Sequence, residues 1–286
     1  MRPPDFEFRS CSTVEEAIAT LSGEDNTVAL AGGQSLIPMM RFRLIRPSTV
    51  VDIGRIEGLG SIESSDGRLE VGPLVTTGRL ARSATVRLLS PLWAEAASVV
   101  ADPLVRNLGT VGGNLAHADP LNDLPAALVA ARGRVVAEGP GGTRTIGCDD
   151  LFVGPFETSL ERGELITSIE LPGGSVGAYE KMKRAAADYG VAAVAVQLTI
   201  DREGRITQAG IAVTGGPDVA PRAAEAEGLL VGSGADSSTI ARAGEATAES
   251  AGMVGDDRGS ARYKRELVRV LAGRAIERAA GRGNGR

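Results

Sequence analysis

Gly109-Thr-Val-Gly-Gly-Asn-Leu-Ala-His117-Ala-Asp-Pro-Leu-Asn-Asp123 is the stretch on which the reading of this chain turns. A short apolar lead runs into a glycine pair and then into polar side chains, the pattern of a loop that holds a ligand. Gly112 and Gly113 lack Cβ atoms, so their backbone is free to take positive φ and to present consecutive N–H groups to an anion. Asn114 adds a side-chain amide. An earlier stretch, Leu30-Ala-Gly-Gly-Gln-Ser-Leu36, repeats the design of apolar strand, glycine pair and small polar donors. Either pair alone reads first as a tight strand-to-helix turn. Together they predict two loops gripping one dinucleotide.

Composition narrows what that dinucleotide-binding chain is. Its 286 residues predict about two domains, each large enough for its own core. The net charge is −5, with arginines scattered among acidic residues, which excludes a nucleic-acid footprint and requires an anionic cofactor to be held locally. Met1-Arg-Pro-Pro-Asp-Phe-Glu-Phe8 has no apolar signal region, and no later run has the length of a membrane span, so a soluble, cytoplasmic protein is expected. Cys11 and Cys148 are the only cysteines, too few for the four thiolates of an iron–sulfur cluster. His117 is the only histidine, with no spacing that supports a metal site or a nucleophilic triad. It is expected to be structural or at a subunit surface.

Along the chain, Thr13 is an N-cap with Glu16 at the capping-box position, opening a helix to Leu21. Val28 to Ala31 is a strand delivering the first glycine loop, Leu36 to Met40 a short helix, and Pro47 to Ile53 a β-branched strand. Ile62 and Leu69 to Val71 flank a hairpin turn. Thr76 to Arg82 and Leu88 to Val100 are helical, with Trp93 in the core, and Asp123 to Ala131 is a helix that Asp123 would cap, with Pro125 in its first turn. Arg134 to Glu138 and Thr143 to Ile146 read as a second hairpin, and Glu164 to Leu171 as a strand stopping at Pro172-Gly-Gly174, where a domain boundary is placed. Beyond it, strands at Ala178 to Met182, Val191 to Ile200 and Ile206 to Thr214 predict an antiparallel sheet. Helices follow at Ala223 to Val231, Ser237 to Ser250 and Ser260 to Ala280, the last carrying Leu267, Val270, Leu271 and Ile276 on one side. A mobile tail is expected from Gly281. There is no solenoid repeat and no low-complexity tract.

Common nucleotide motifs are missing. Gly58 with Gly60 and Gly232 with Gly234 lack the third glycine of a Rossmann fingerprint, and none of Lys181, Lys183 and Lys264 follows a glycine as a Walker loop requires. Instead the chain resembles the flavin-binding medium subunit of molybdenum hydroxylases, the carbon monoxide dehydrogenase and xanthine dehydrogenase family. The resemblance rests on AGGQSLIPMMRFRLIRPSTVVDI from Ala31 to Ile53, RNLGTVGGNLAHADPLNDLP from Arg106 to Pro125, YEKMKR from Tyr179 to Arg184, and SARYKRELVRVLAGRAI from Ser260 to Ile276.

This resemblance implies an α+β fold: a PCMH-type FAD-binding region of two α/β subdomains over residues 1–174, then a smaller domain of antiparallel strands and helices over 175–286. FAD is the implied cofactor. Leu30, Ala31, Gly32, Gly33, Gln34, Ser35 and Leu36, with Thr110, Val111, Gly112, Gly113 and Asn114, would wrap its pyrophosphate and ribityl chain. No side-chain role falls to Gln34, whose position varies in the family. Asp123 would accept a hydrogen bond from the cofactor, in addition to or instead of capping its helix. Val100 and Leu165 match positions near the flavin or adenine, and Lys181 a basic residue near the cofactor; on sequence alone Lys181 is equally a solvated strand residue. Tyr189 is the candidate aromatic over the flavin. No acid–base dyad is required, because the flavin carries the redox chemistry.

The implied role is an electron-transfer subunit that takes electrons from a [2Fe-2S] small subunit and passes them to NAD or another acceptor. A molybdopterin-containing large subunit completes the implied complex, a dimer of heterotrimers. The competing readings are a stand-alone FAD-dependent reductase like the enolpyruvyl-sugar reductases, and a nucleotide-binding scaffold without redox function.

Overall fold

A computed structural model of the chain describes residues 2–23 and 25–283. Its first unit is built on parallel pairing: β1 (Glu7–Ser10), α1 (Val14–Gly23), β2 (Thr27–Leu30), α2 (Leu36–Arg41) and β3 (Thr49–Asp52) form a sheet of order β1-β3-β2. Parallel neighbours need crossovers, and the two helices supply them. Thr13 caps α1 by accepting from the Glu16 N–H at 3.2 Å, while the Glu16 carboxylate reaches the Ser12 N–H at 2.8 Å. Val51 and Ile53 pack with Ala17 and Leu21 of α1 into a small core.

The next unit opens on the hairpin β4 (Ile62–Ser65) and β5 (Arg68–Val71) and continues through helices α3 (Thr77–Arg82), α4 (Ala84–Leu89), α5 (Pro91–Ser98), α6 (Pro103–Leu108), α7 (Val111–His117) and α8 (Asp123–Ala130). Hairpin β6 (Arg134–Gly139) and β7 (Gly142–Gly147), the short α9 (Cys148–Leu151), β8 (Phe152–Gly154), β9 (Glu157–Thr158) and finally β10 (Leu165–Leu171) complete it. The sheet order is β4-β5-β10-β6-β7. Strand β10 therefore joins the two hairpins, with Ile169 opposite both Val71 and Val135. Five of its seven residues are buried, so the strand is covered on both faces. The helices enclose Trp93, which is fully buried and donates from Nε1 to the Ala127 carbonyl at 3.2 Å. One expected helix differs: Leu88 to Val100 is interrupted at Ser90, where α4 ends and Pro91 starts α5, since proline supports only a first turn.

The last unit is an antiparallel sheet of β11 (Val176–Lys183), β12 (Gly190–Ile200) and β13 (Ile206–Thr214), covered by α10 (Ala224–Leu230), α11 (Ser237–Ser250) and α12 (Ala261–Gly283). Val268, Leu271, Ala272, Ala275, Ile276 and Ala279 form the buried stripe of α12, shifted from the expected face so that Val270 and Leu267 are only partly covered. The helix persists through Gly283, past the point where a tail was expected, because that last turn packs on the sheet, with Gly283 against Ile200. Residues 284–286 of that expected tail lie outside the described residues. The sheet's other face joins the preceding helices: Tyr179, Ala193, Ala195 and Ala212 share a core with α5 and α8. Arg278 and Arg282 of α12 pair with Glu95 of α5, which also accepts the Tyr179 N–H at 3.0 Å. No helix among the described residues is long and apolar enough to cross a membrane.

Candidate cofactor-binding site

A cavity of about 540 Å³ lies where the three units meet. Its walls include Ala31 to Leu36, Val100, Thr110, Gly112 to Asn114, Asp123, Leu165 and Lys181, so the structure gathers these sequence-separated residues around one space. Leu30 and Val111 stay out of the wall. Leu30 is paired with Asp52 in the β2–β3 register, and Val111 is fully buried in the helical core.

The two glycine loops turn out to be physically different. In the first, Gly33 has φ +69°, the left-handed region that favours glycine, and a Cβ on Gly32 would lie 2.0 Å from the Leu108 carbonyl oxygen. The amides of Gly32, Gly33, Gln34 and Ser35 meet no acceptor among the described residues, although they line the cavity. Successive N–H groups left unpaired around a left-handed turn residue form an anion-binding concavity. Gln34 Nε2 bonds the neighbouring Gly32 carbonyl at 3.2 Å.

The second stretch was expected to be a loop with glycines at positive φ, and here the structure corrects the sequence reading. Residues 111–117 are helix α7, and neither Gly112 nor Gly113 has positive φ. Thr110 caps it, its hydroxyl accepting from the Gly113 N–H at 3.2 Å, and the Val111 and Gly112 amides donate to the carbonyls of Val75 and Pro73 at 2.9 Å each. Gly112 is required for space, since a Cβ there would meet Pro73 at 2.4 Å. These amides are therefore engaged within the protein. What this stretch offers the cavity is the Thr110 hydroxyl proton and Asn114, whose buried Oδ1 has no hydrogen-bond donor.

Asp123 also differs from expectation. Asn122 is the residue at the cap position of α8, without a side-chain cap bond, and Asp123 is the first helical residue. Its Oδ1 accepts from the Tyr179 hydroxyl at 2.7 Å and its Oδ2 from Lys181 Nζ at 2.6 Å. Tyr179 and Lys181 stand two apart on β11 and so point to one face of the strand. That alternation was the available signal for Tyr179, which sequence reasoning passed over as a site residue. Lys181 is no solvated strand residue: its side chain is 3% exposed and that of Asp123 4%. Burial raises the Asp123 carboxyl above its ordinary pKa, with the Lys181 ammonium the largest opposing influence. Burial and the adjacent carboxylate push the Tyr179 phenol well above its usual value, which keeps it a neutral donor.

Tyr189 lines the cavity half-exposed, with the Arg258 guanidinium 5.8 Å from its ring centroid. His117 also reaches the wall, tilted against Phe156 at 5.3 Å between centroids; burial lowers its pKa, so it is neutral at pH 7. Both cysteines are buried and free, and burial pushes the Cys148 thiol up to about 11, so it supplies no thiolate. No cluster of metal-ligating side chains occurs among the described residues.

Residues 4–174 match the family model described as the FAD binding domain in molybdopterin dehydrogenase. The chain belongs to that family. Residues 177–279 match the CO dehydrogenase flavoprotein C-terminal domain. Among similar proteins, the 6-hydroxypseudooxynicotine dehydrogenase complex subunit alpha of Paenarthrobacter nicotinovorans is 38% identical, covering 98% of this chain and 96% of that protein. The solved carbon monoxide dehydrogenase from Hydrogenophaga pseudoflava superposes with a TM-score of 0.94 at 37% identity, covering 99% of both chains. Quinoline 2-oxidoreductase from Pseudomonas putida 86 superposes with a TM-score of 0.92 at 32% identity, covering 98% of this chain and 99% of that one.

The cavity fits FAD on its own terms. A row of unpartnered amides suits a pyrophosphate without any lysine in the loop, the orphaned Asn114 Oδ1 suits a hydroxyl donor, and Val100 and Leu165 supply apolar wall.

Proposed function

We propose that this chain is the FAD-carrying electron-transfer subunit of a molybdenum hydroxylase complex, taking electrons from a [2Fe-2S] partner subunit and passing them to NAD or another acceptor. The observation that carries the reading is the cradle of free amides from Gly32 to Ser35, which lines the same cavity as the buried Asp123–Lys181 pair. Bound there, FAD supplies exchange between one-electron and two-electron carriers. The chain's own residues bind and orient it. The Gly32 to Ser35 amides would take the pyrophosphate, Asn114 and the Thr110 hydroxyl would bond the polyol, and Val100 and Leu165 would exclude water.

Two cysteines cannot ligate an iron–sulfur cluster, so reducing equivalents must arrive through an interface. In the full assembly we place a [2Fe-2S] small subunit and a molybdopterin-containing large subunit, as a cytoplasmic dimer of heterotrimers. Residues 1–174 hold the cofactor, and 175–286 close the site through β11. The test is purification with and without co-expressed partner subunits, followed by flavin absorption. A yellow protein whose colour bleaches on reduction, and is bleached by the reduced [2Fe-2S] subunit, is expected. A chain that stays colourless after reconstitution with FAD overturns the proposal.

A further inference from the structure

Beside the buried Asp123–Lys181 pair, cations from β11 and from α6 meet one turn of the cavity wall. The chain leaves α5 through Val99, Val100 and Ala101, whose carbonyls lie at the negative end of that helix. Lys183 Nζ donates to the Val99 carbonyl at 3.0 Å, and Lys181 Nζ reaches the same oxygen at 3.3 Å. From α6, Arg106 Nη1 donates to the carbonyls of Val100 at 2.7 Å and Ala101 at 3.1 Å. Between these ties Ala101 has φ +38°, a left-handed conformation that a residue with a Cβ adopts at a cost. Val100, Ala101 and Asp102 are cavity wall; Lys183 is not.

Lys183 differs from its neighbour on β11. Lys181 has a carboxylate, whereas Lys183 directs its ammonium at two carbonyls, those of Val99 and Ala186, and forms no ion pair among the described residues. Burial, then the nearby Lys181 charge, lower its pKa, which fits an ammonium partly withdrawn from water and held for its hydrogen bonds. A charge-assisted bond to a carbonyl is worth more than a neutral one. Here it joins the C-terminal sheet to the end of α5.

We infer that Lys183 is a positioning residue for the FAD cavity: by holding the Val99 carbonyl against β11 while Arg106 holds the next two carbonyls, it keeps the Val99–Asp102 turn, with Ala101 left-handed, in the form that makes the wall. This rests on the FAD reading above. It assigns a role in shaping the cofactor site to a side chain outside the cavity and makes the C-terminal sheet part of the site.

The test is FAD titration of the full chain, followed by flavin fluorescence and the visible absorption band. Lys183→Met should weaken FAD binding about tenfold, through loss of the charge-assisted hydrogen bond to the Val99 carbonyl, and shift the shape of the bound-flavin band. Lys183→Arg, which restores a cationic donor, should bring both back to within about threefold. Adding Ala101→Gly to Lys183→Met should also recover affinity, because glycine holds φ +38° without the strain that Lys183 opposes. An unchanged affinity and spectrum in Lys183→Met overturns the inference, as does a loss that neither Lys183→Arg nor Ala101→Gly repairs. If Lys183→Met does not fold, the Lys183→Met, Ala101→Gly double variant decides: folded and FAD-bound supports the inference, unfolded overturns it. Failure of the wild-type chain to bind FAD would count against the FAD reading, and is seen before any variant is compared.

Discussion

Lys181→Met should cost the fold far more than a surface lysine would, because it strands a carboxylate away from water. The charged atoms of Lys181 and Asp123 are 2.6 Å apart and both side chains are almost wholly buried. At an effective dielectric of about 20, that separation corresponds to an attraction of about 6 kcal/mol, much of it offset by desolvation of the two ions. Removing one partner of such a pair typically costs about 3–5 kcal/mol. The Tyr179 hydroxyl still donates to Asp123 Oδ1, so a loss near the lower end, about 3 kcal/mol, is expected.

The pH dependence has a definite sign. Burial already holds the Asp123 carboxyl above its ordinary pKa, and losing the Lys181 ammonium raises it further. A carboxyl raised in the folded state favours folding fully below its unfolded pKa, and that contribution is lost as pH rises through the folded value. The variant is therefore weakest in alkaline buffer and recovers toward acid. Urea unfolding at about pH 5.5 and about pH 8.5 measures this for the wild type, Lys181→Met, Asp123→Asn and the double variant. The double variant, with no charge to strand, should regain at least half of the loss. A deficit under about 1 kcal/mol, the range of an exposed pair, would refute the reasoning, and so would a deficit identical at both pH values.

Three further outcomes are expected. Gly33→Val places a β-branched residue at φ +69° and should weaken FAD retention at least about tenfold with unchanged circular dichroism; a normal flavin-to-protein ratio after desalting would contradict the amide cradle. Thr110→Val removes the cap on the Gly113 N–H and should cost about 1 kcal/mol in urea unfolding along with FAD affinity, while Thr110→Ser keeps both; equal behaviour of the two variants would remove the hydroxyl from the site. Trp93→Ala empties a fully buried position and should cost about 3–5 kcal/mol, read from the urea midpoint; a loss below about 1 kcal/mol would mean that the helices around it do not share one core.

Much of this fold is written locally. Strands β3, β10, β12 and β13 are β-branched or apolar runs ended by turn residues, and α1 carries its own cap in Thr13. β1 carries no such signal. Glu7 to Ser10 is a charged, exposed edge whose only claim to be a strand is its parallel pairing with β3, some forty residues away. Asp123 was ambiguous for the same reason: its neighbours in sequence suggest a cap, whereas its bonding partners lie 56 and 58 residues later on β11. A buried lysine is improbable from composition alone, and only the pairing of β11 with the helical layer makes Lys181 one.

The glycine pairs carry the same lesson into the site itself. In sequence the stretches at Gly32-Gly33 and Gly112-Gly113 look like two copies of one device. The first is needed for its backbone, since φ +69° at Gly33 leaves a row of amides free for a ligand. The second is needed for its missing side chain, since Pro73 occupies the place of a Gly112 Cβ and takes that residue's N–H as well. Alanine at position 112 should therefore disturb packing between α7 and the segment before α3 whether or not cofactor is present, whereas a bulky residue at position 33 should act mainly on what the cavity holds. Two stretches with the same residues thus differ in whether a substitution is felt by the fold or by the ligand, and the difference is set by segments that neither stretch contains.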